Sequence, residues 1–457
     1  MARGKKKETL TPEERLQAAL VPEREQPYKV PGNWCWIQLG ELYQINPKNL
    51  AEDFVDAAFI PMEKIAPGFV NEYSFDVQPW CKAKKGHTQF ADGDVAFAKI
   101  SPCFENRKSM LLNNLPNGIG GGTTELVVLR QSHMNQKYTF WFISQEQFIR
   151  GGIATYSGTV GQQRISMDYV RTYPIPVPPL PEQQRIVERI ESLFVKLDEA
   201  KQKAQDALDS FETRKAAILH KAFTGELTAQ WRKEHGVGMV SWRTVTFKDA
   251  CLKITDGTHH SPVNTPTGEY MYVTAKNIKE TGIDLTNITF VSKDVHDEIY
   301  SRCDVQYGDV LYIKDGATTG IAAVNTIEEP FSLLSSVAVL RPDKKQIVAE
   351  YMVYNLNSSK TKTMMINNMS GNAITRLTLS KIKTAPITVC SLDEQNEIVR
   401  ILDDLLAKEQ QAKEAAERVL EQIDLIKKAI LARAFRGELG TNDPSEESAM
   451  ELLKSVV

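Results

Sequence analysis

Two polar loops carry the side chains best suited to read the edge of a nucleic-acid base. One runs Ser157-Gly158-Thr159-Val160-Gly161-Gln162-Gln163-Arg164 and the other Ser370-Gly371-Asn372-Ala373-Ile374-Thr375-Arg376. Gln162, Gln163 and the two arginines, Arg164 and Arg376, have the two-pronged geometry that matches adenine and guanine; Asn372 is the polar candidate of the second loop. A second set of candidates is cationic. The segment CKAKKGHTQ (81–89) puts Lys82, Lys84 and Lys85 in one basic turn, which suits phosphate contacts, and Arg107-Lys108 is a weaker example. Later in the chain, Thr258-His259-His260-Ser261, Lys276-Asn277 and the run from Lys314 to Thr318-Thr319 are polar and loop-like. Lys99 and Lys314 each follow a Gly-Asp-Val turn, so a shared phosphate-contacting role is expected of them. A bland reading stands beside each: the loops as strand-connecting turns, the lysines as solvated surface.

Other chemistries find no support. There is no G-x-x-x-x-G-K-[ST] loop to cradle a nucleotide and no G-x-G-x-x-G opening a helix. Gly118-Ile119-Gly120-Gly121-Gly122 lacks the Lys-Ser/Thr and reads as a turn before a strand. His259 and His260 are adjacent, which does not aim two rings at one metal, and no carboxylate has ligand spacing to them. The six cysteines, at 35, 81, 103, 251, 303 and 390, are scattered singly, against both a disulfide framework and a thiolate zinc site. No catalytic constellation emerges, so the chain reads as non-enzymatic by itself. With 55 basic and 58 acidic residues in 457, the net charge of −3 excludes a uniformly basic nucleic-acid coat but not a locally basic groove. No apolar run is long enough for a bilayer, and no apolar core follows the basic Met1–Lys7, so a cytoplasmic protein with no membrane partner is expected.

What positions the loops is an internal repeat. Residues 181–227 and 393–439 align without a gap: Glu182 with Glu394, Ile186 with Ile398, Phe223 with Phe435 and Leu227 with Leu439 are all 212 residues apart. The match extends backward to Arg164 and Arg376. Before these segments the likeness is looser: Gly32-Asn-Trp34 with Val240-Ser-Trp242, Gly93-Asp-Val95 with Gly308-Asp-Val310, and Leu126–Arg130 with Val337–Arg341. In the first repeat, apolar residues at 186, 190, 193, 197, 200, 204, 207, 211 and 218 form a heptad seam. The second gives 398, 402, 405, 412, 416, 419, 423, 426 and 430, with Glu409 as a polar interruption. Eight basic and eight acidic residues in 182–223 suit a solvated outer face. Proline before the first helix and Gly225 and Gly437 after the two mark their limits. Each helix is expected to run about 42 residues, roughly 63 Å. Since one stripe occurs twice in one chain, antiparallel pairing within the molecule buries both. The segments between read as mixed α/β: ADGDVAFAKI (91–100) and YGDVLYIKD (307–315) as turn and strand, 138–152 and 349–365 as helix. Thr11-Pro12-Glu13-Glu14 is a capping box before a short helix, and the acidic tail suggests another at 446–455.

Two unlike units alternating with two near-identical heptad helices, each ending Ala-Phe-x-Gly-Glu-Leu, resemble the specificity (S) subunit of type I restriction–modification systems. The resemblance is carried by Pro179–Val187 with Ile218–Leu227, and by Leu392–Val399 with Ile430–Leu439. It spans nearly the whole chain and is weakest inside the globular units. It implies an α/β (α+β mixed) fold in which two target recognition domains are joined by an intramolecular antiparallel coiled coil with pseudo-two-fold symmetry. The expected segments are an N-terminal extension (1–29), recognition domain 1 (30–180), helix 1 (181–228), a linker (229–241), recognition domain 2 (242–391), helix 2 (392–440) and an acidic tail (441–457). It further implies that each recognition domain reads one half of a bipartite site on double-stranded DNA while the helices set the spacing. Partners would be two methyltransferase subunits and two motor-nuclease subunits, which bring S-adenosylmethionine, ATP and magnesium; no cofactor belongs to this chain. Phe194, Leu208 and Leu420, beside the seam, are candidates for the methyltransferase-facing surface. The alternative is a coiled-coil scaffold joining two protein-binding domains.

Overall fold

The computed structural model describes residues 12–131, 133–369 and 376–454. The chain forms two compact units. One takes in the chain through Ala204 and again from Arg418; the other is 205–417. Each holds one globular head, the front part of one long helix and the back part of the other.

The heads share a plan. In the first, strands Gln44–Ile45, Leu126–Arg130, Val95–Ala98 and Ser109–Leu111 form an antiparallel sheet in that order. In the second, Cys251–Asp256, Val337–Pro342, Val310–Ile313 and Ala322–Val324 do the same. Both Gly-Asp-Val turns therefore open a central strand, as expected from their sequence. The aspartate of each turn is buried and takes both prongs of an arginine at the last or last-but-one position of the paired strand. Arg130 donates to Asp94 at 2.7 and 2.7 Å, and Arg341 to Asp309 at 2.9 and 3.0 Å. The loose likeness between Gly-Asp-Val and the two Leu-Arg ends is thus one buried ion pair built twice. A second sheet in each head includes a parallel pair, Asp56–Ile60 with Ile119–Gly122 and Tyr270–Val273 with Ser332–Leu333. The glycine run expected to turn is itself the strand Ile119–Gly122. Packing requires the glycines: a Cβ on Gly121 would lie 2.0 Å from the Ala83 carbonyl oxygen, and one on Gly122 2.5 Å from that of Ile60.

Each head is rooted by a two-stranded ribbon, Cys35–Gln38 with Pro174–Val177 and Arg243–Thr246 with Pro386–Val389, which leads straight into a long helix. The Glu-Gln pair at each helix start ties the root. Glu182 and Glu394 are fully buried. Glu182 accepts from the Trp34 indole (2.7 Å), Asn442 (2.8 Å) and Thr441 (3.3 Å). Glu394 accepts from the Trp242 indole (2.9 Å), Thr228 (2.7 Å) and Arg232 (2.5 Å). In both knots the threonine comes from the segment that follows the other long helix. The adjacent glutamines cap a head helix: Gln183 accepts from the Asn135 N–H (3.0 Å), Gln395 from that of Val348 (2.9 Å). The motif phenylalanines close the same joint from the far helix end, Phe435 edge-on to Tyr138 (5.2 Å) and Phe223 to Tyr351 (5.3 Å). A buried carboxylate is tolerable only when its lone pairs are met, so the Trp-Glu-Thr set fixes how head, helix start and helix end join.

The long helices pair antiparallel, since positions rise on one as they fall on the other. Asp198 meets Lys427 (2.6 Å), Phe211 lies under Lys413 (4.9 Å) and Arg214 meets Glu409 (2.8 Å). Glu409, the interruption in the seam, is thereby answered by a cation. The second helix, Leu392–Ala434, is continuous over 43 residues. The first is interrupted once, as Leu180–Asp209 and Phe211–Phe223. At Ser210 both the N–H and the hydroxyl land on the Asp206 carbonyl, which bends a helix locally. Gly225 and Gly437 follow the helix ends with φ of +79° and +73°, the left-handed conformation expected of them. The seam is less complete than the heptad count predicts: Ala412, Val419 and Ile426 are exposed. A straight helix drifts about 20° per heptad from a strict seven-residue repeat, and two helices cover only one line of contact. Helices at Gln136–Ile143 with Glu146–Ile153 and at Ala349–Asn357 with Ser359–Asn367 meet the expectation for those segments. So do Pro12–Ala19 and Ala449–Lys454 near the ends; Thr11 of the expected capping box lies outside the described residues.

Candidate nucleic-acid interface

The Gly-Asp-Val strands deliver Lys99 and Lys314 to equivalent seats. The Lys99 N–H donates to the Glu125 carbonyl (2.8 Å), and its own carbonyl accepts from Ile165 (3.0 Å). The Lys314 N–H donates to the Ser336 carbonyl (2.9 Å), and its carbonyl accepts from Leu377 (2.9 Å). The arginine of each polar loop is held beside the next residue: Ile100 bridges Arg164, and Asp315 bridges Arg376. The two loops singled out in the sequence thus emerge from one scaffold position used twice.

Their side chains then diverge. Arg164 is half-buried and donates to both Glu125 oxygens (2.9 and 2.7 Å) and to the Gln162 carbonyl (2.9 Å). That fork holds the Glu125 carboxyl below the usual range. The prongs expected to face guanine are therefore taken by a carboxylate. Gln162 is exposed, Gln163 half-buried, and Val160 at the apex stands 91 % exposed, an apolar tip of the kind that meets a thymine methyl. Lys99 is half-buried close to Glu125. Lys82 and Lys85 are exposed on the short helix Trp80–Ala83 and its following turn, which pack on the other sheet of the head. Lys84 is drawn down by Asp53 (2.5 Å).

The expectation for Lys314 requires correction. It is only 4 % exposed, with its Nζ 3.3 Å from Asp256 and 3.7 Å from Asp315. Asp256 is itself buried and draws in two cations, Lys314 and Arg302 (2.6 Å), so no phosphate reaches this ammonium group. His259 is exposed and accepts from Arg302 (3.0 Å), while His260 is exposed at the loop surface. Thr318 is exposed in the turn after Lys314. Asn372, with the rest of 370–375, lies outside the described residues, and Arg376 is exposed. Lys276 lines a cavity of about 610 Å³ together with Ser261, Lys279, Asn287, Tyr272 and Ser336. The Tyr272 hydroxyl and Ser336 Oγ in that lining are buried and have no hydrogen-bond partner among the described residues. Burial pushes the Tyr272 phenol up to about 12, so it stays a neutral donor.

Sequence reading missed Tyr272, Ser336 and Glu125, which bear on this surface only through the strand pairing. It also misassigned Phe194. That ring is 4 % exposed and packs edge-on to Trp141 (5.1 Å) and Phe69 (5.8 Å) of the first head, so it is not a docking surface. Leu208 and Leu420 are half-buried, and the larger exposed apolar side chains of the long helices include Val195, Val419, Leu425 and Ile426. Among the described residues no three His, Cys, Asp or Glu side chains are placed to hold a metal ion, and no helix is long and apolar enough to cross a membrane.

Known proteins resemble this arrangement along much of the chain. The family profile described as type I restriction modification DNA specificity domain matches twice, at residues 31–208 and 239–421. The specificity subunit of the type I restriction enzyme EcoAI of Escherichia coli is 36 % identical over 220 residues, covering 47 % of this chain and 37 % of that protein. The corresponding EcoKI subunit of Escherichia coli strain K12 is 24 % identical over 277 residues, covering 58 % and 57 %. The match therefore spans little more than a third of the EcoAI subunit's length and somewhat over half of the EcoKI subunit's. Among solved structures, the HsdS subunit from Thermoanaerobacter tengcongensis superposes with a TM-score of 0.69 at 21 % identity, over 90 % of this chain and 99 % of that one. A chain from a study of assembly and conformational transition of the type I R-M system gives 0.65 at 21 % identity, over 90 % and 100 %. With two family matches that together cover well over half of its residues, the chain belongs to the type I restriction–modification DNA specificity family, as an S subunit.

Proposed function

We propose that this chain supplies the address for a type I restriction–modification complex and none of its catalysis. Each head reads one half of a bipartite target on double-stranded DNA. The paired helices set the distance between the halves and dock two methyltransferase subunits. Two motor-nuclease subunits complete the assembly. Catalysis, with S-adenosylmethionine, ATP and magnesium, resides in those partners, in the cytoplasm of a bacterial or archaeal cell.

The observation that carries the reading is one scaffold built twice with unlike polar surfaces at matching seats. Reading bases needs side chains on loops held by a rigid frame, and phosphate contacts set register. Gln162, Gln163 and exposed Val160 serve in the first head; Arg376, Lys276, His260 and Thr318 serve in the second. Two tethered readers multiply specificity only when the tether fixes their separation, and paired helices do that where a floppy linker would not. The apolar residues left open on the helices, Val195, Val419, Leu425 and Ile426, support partner docking there.

The test is a gel-retardation series with the chain and its methyltransferase partner. The complex should retard duplex DNA, and its affinity should fall steeply as salt rises. A complex that assembles but leaves DNA unretarded at low salt would favour the scaffold reading.

A further inference from the structure

We propose that Arg376 contacts the DNA target and its counterpart Arg164 does not, because Ser336 stands where the first head has Glu125. The proposal rests on the DNA-reading function above and names the residue by which the second head performs it.

The equivalence of positions 125 and 336 is set by backbone. Each offers its carbonyl to the lysine after a Gly-Asp-Val strand, and each directly precedes the paired strand, Leu126–Arg130 or Val337–Pro342. In the first head the residue there is a glutamate, and it accepts both prongs of Arg164. A guanine or phosphate would have to displace a carboxylate that already neutralises the guanidinium. In the second head the residue is a serine, with no charge. Its Oγ makes no hydrogen bond, and Arg376 is exposed with no acidic partner among the described residues. The nearest acid by strand pairing, Asp315, has its carboxylate 3.7 Å from Lys314. Ser336 also lines a cavity whose charged side chains are Lys276, Lys279 and Asp284, and whose Tyr272 hydroxyl has no hydrogen-bond partner among the described residues. The seat closed by an acid in one head thus borders, in the other, a polar cavity with two lysines to one carboxylate. A guanidinium with no acidic partner among the described residues takes in such a place a pair of acceptors on the duplex, either the O6/N7 edge of guanine or two phosphate oxygens.

The experiment uses the complex with the methyltransferase, a salt series on target and scrambled duplexes, and methylation mapping. Four forms are compared: wild type, Arg376→Gln, Ser336→Glu and Arg164→Gln. Arg376→Gln should lose about 5- to 150-fold in target affinity. A guanine contact relaxes the methylated motif at one base pair. A phosphate contact weakens all duplexes alike and lowers the salt slope by about one. Either result supports the proposal. Ser336→Glu should capture Arg376 and give a loss of the same order; should that variant fail to fold by thermal melt, Arg376→Gln carries the test alone. Arg376→Gln within twofold of wild type on the target, or an equal loss from Arg164→Gln, overturns the inference while leaving the DNA-reading function standing. A wild-type complex that does not bind DNA overturns both, and shows itself before any substitution is made.

Discussion

Replacing Glu394 by glutamine should cost more stability than the same change at Glu182, though the two occupy the same place in the repeat. Both carboxylates are fully buried and both accept from a tryptophan indole and a threonine. They differ in the third donor, which is the neutral amide of Asn442 at Glu182 and the guanidinium of Arg232 at Glu394. Glu394→Gln leaves that cation buried without its counter-charge, a change that costs about 3–5 kcal/mol in comparable sites. Arg232 keeps bonds to Thr228 (2.9 Å) and the Gly225 carbonyl (2.6 Å), which places the cost near the lower figure. At Glu182 no cation bonds the carboxylate directly, and nearby Arg185 keeps its fork on Glu446 (2.8 and 2.8 Å), so the loss is mainly of hydrogen-bond quality, about 1–2 kcal/mol. For a unit of this size about 3 kcal/mol lowers Tm by roughly 6–12 °C and about 1–2 kcal/mol by roughly 2–8 °C. Thermal unfolding followed by tryptophan fluorescence measures both, and the indoles of Trp34 and Trp242 report the two knots. Adding Arg232→Met to Glu394→Gln should recover part of the loss, since the pair is then removed together. Equal shifts for the two single variants, or a larger one for Glu182→Gln, would refute the assignment of the Arg232 pair as the distinguishing element.

Three further outcomes follow from the same geometry. Phe194→Ala should cost about 3–5 kcal/mol in urea unfolding, because the ring is packed between Trp141 and Phe69, whereas Val195→Ala, 58 % exposed, should stay within about 0.5 kcal/mol; similar values would show the ring is not buried. Glu125 has its pKa lowered from 4.5 by the Arg164 fork, so its stabilisation is present above the ordinary value and is lost as pH falls through the lowered one. The stability gap between wild type and Glu125→Gln should therefore be constant at neutral pH and close only in acid below about 4.5; a gap unchanged down to pH 2 would contradict the pairing. Inserting one heptad in register into both long helices should lengthen the unread spacer of the methylated motif and leave its halves unchanged. Altered halves with the old spacer would show the helices are not the ruler.

What the sequence discloses is what repeats. The 212-residue offset exposes the helices, their antiparallel seam and the seats of Arg164 and Arg376, and the looser likeness before it exposes the Gly-Asp-Val strands. What it conceals depends on partners brought from far along the chain. Glu125 lies 39 residues from the arginine it holds, and Asp256 takes Lys314 into the interior. Nothing local in either segment marks a lysine as buried or an arginine as neutralised. The heptad count misplaces Phe194 for a related reason: it describes one helix against another and cannot see a head packed beside them. Gly120–Gly122 reads as a turn by composition but is a strand paired on both sides, and its residues are glycines because neighbouring carbonyls leave no room for a Cβ. The Glu-Gln pair was visible as part of the repeat, yet its role as a buried acceptor appears only when Trp34 and Trp242 arrive from the start of each head.

The claim that two heads read two halves of one site is tested most directly by exchange. Residues 242–391 would be replaced by the second recognition domain of another family member, and the methylated motif mapped by single-molecule sequencing in cells carrying the partner methyltransferase. The prediction is a motif of two short blocks around an unread spacer, with one block changed by the exchange and the other block and the spacer retained. A single contiguous motif in the parent, or an exchange that rewrites both blocks, would contradict it.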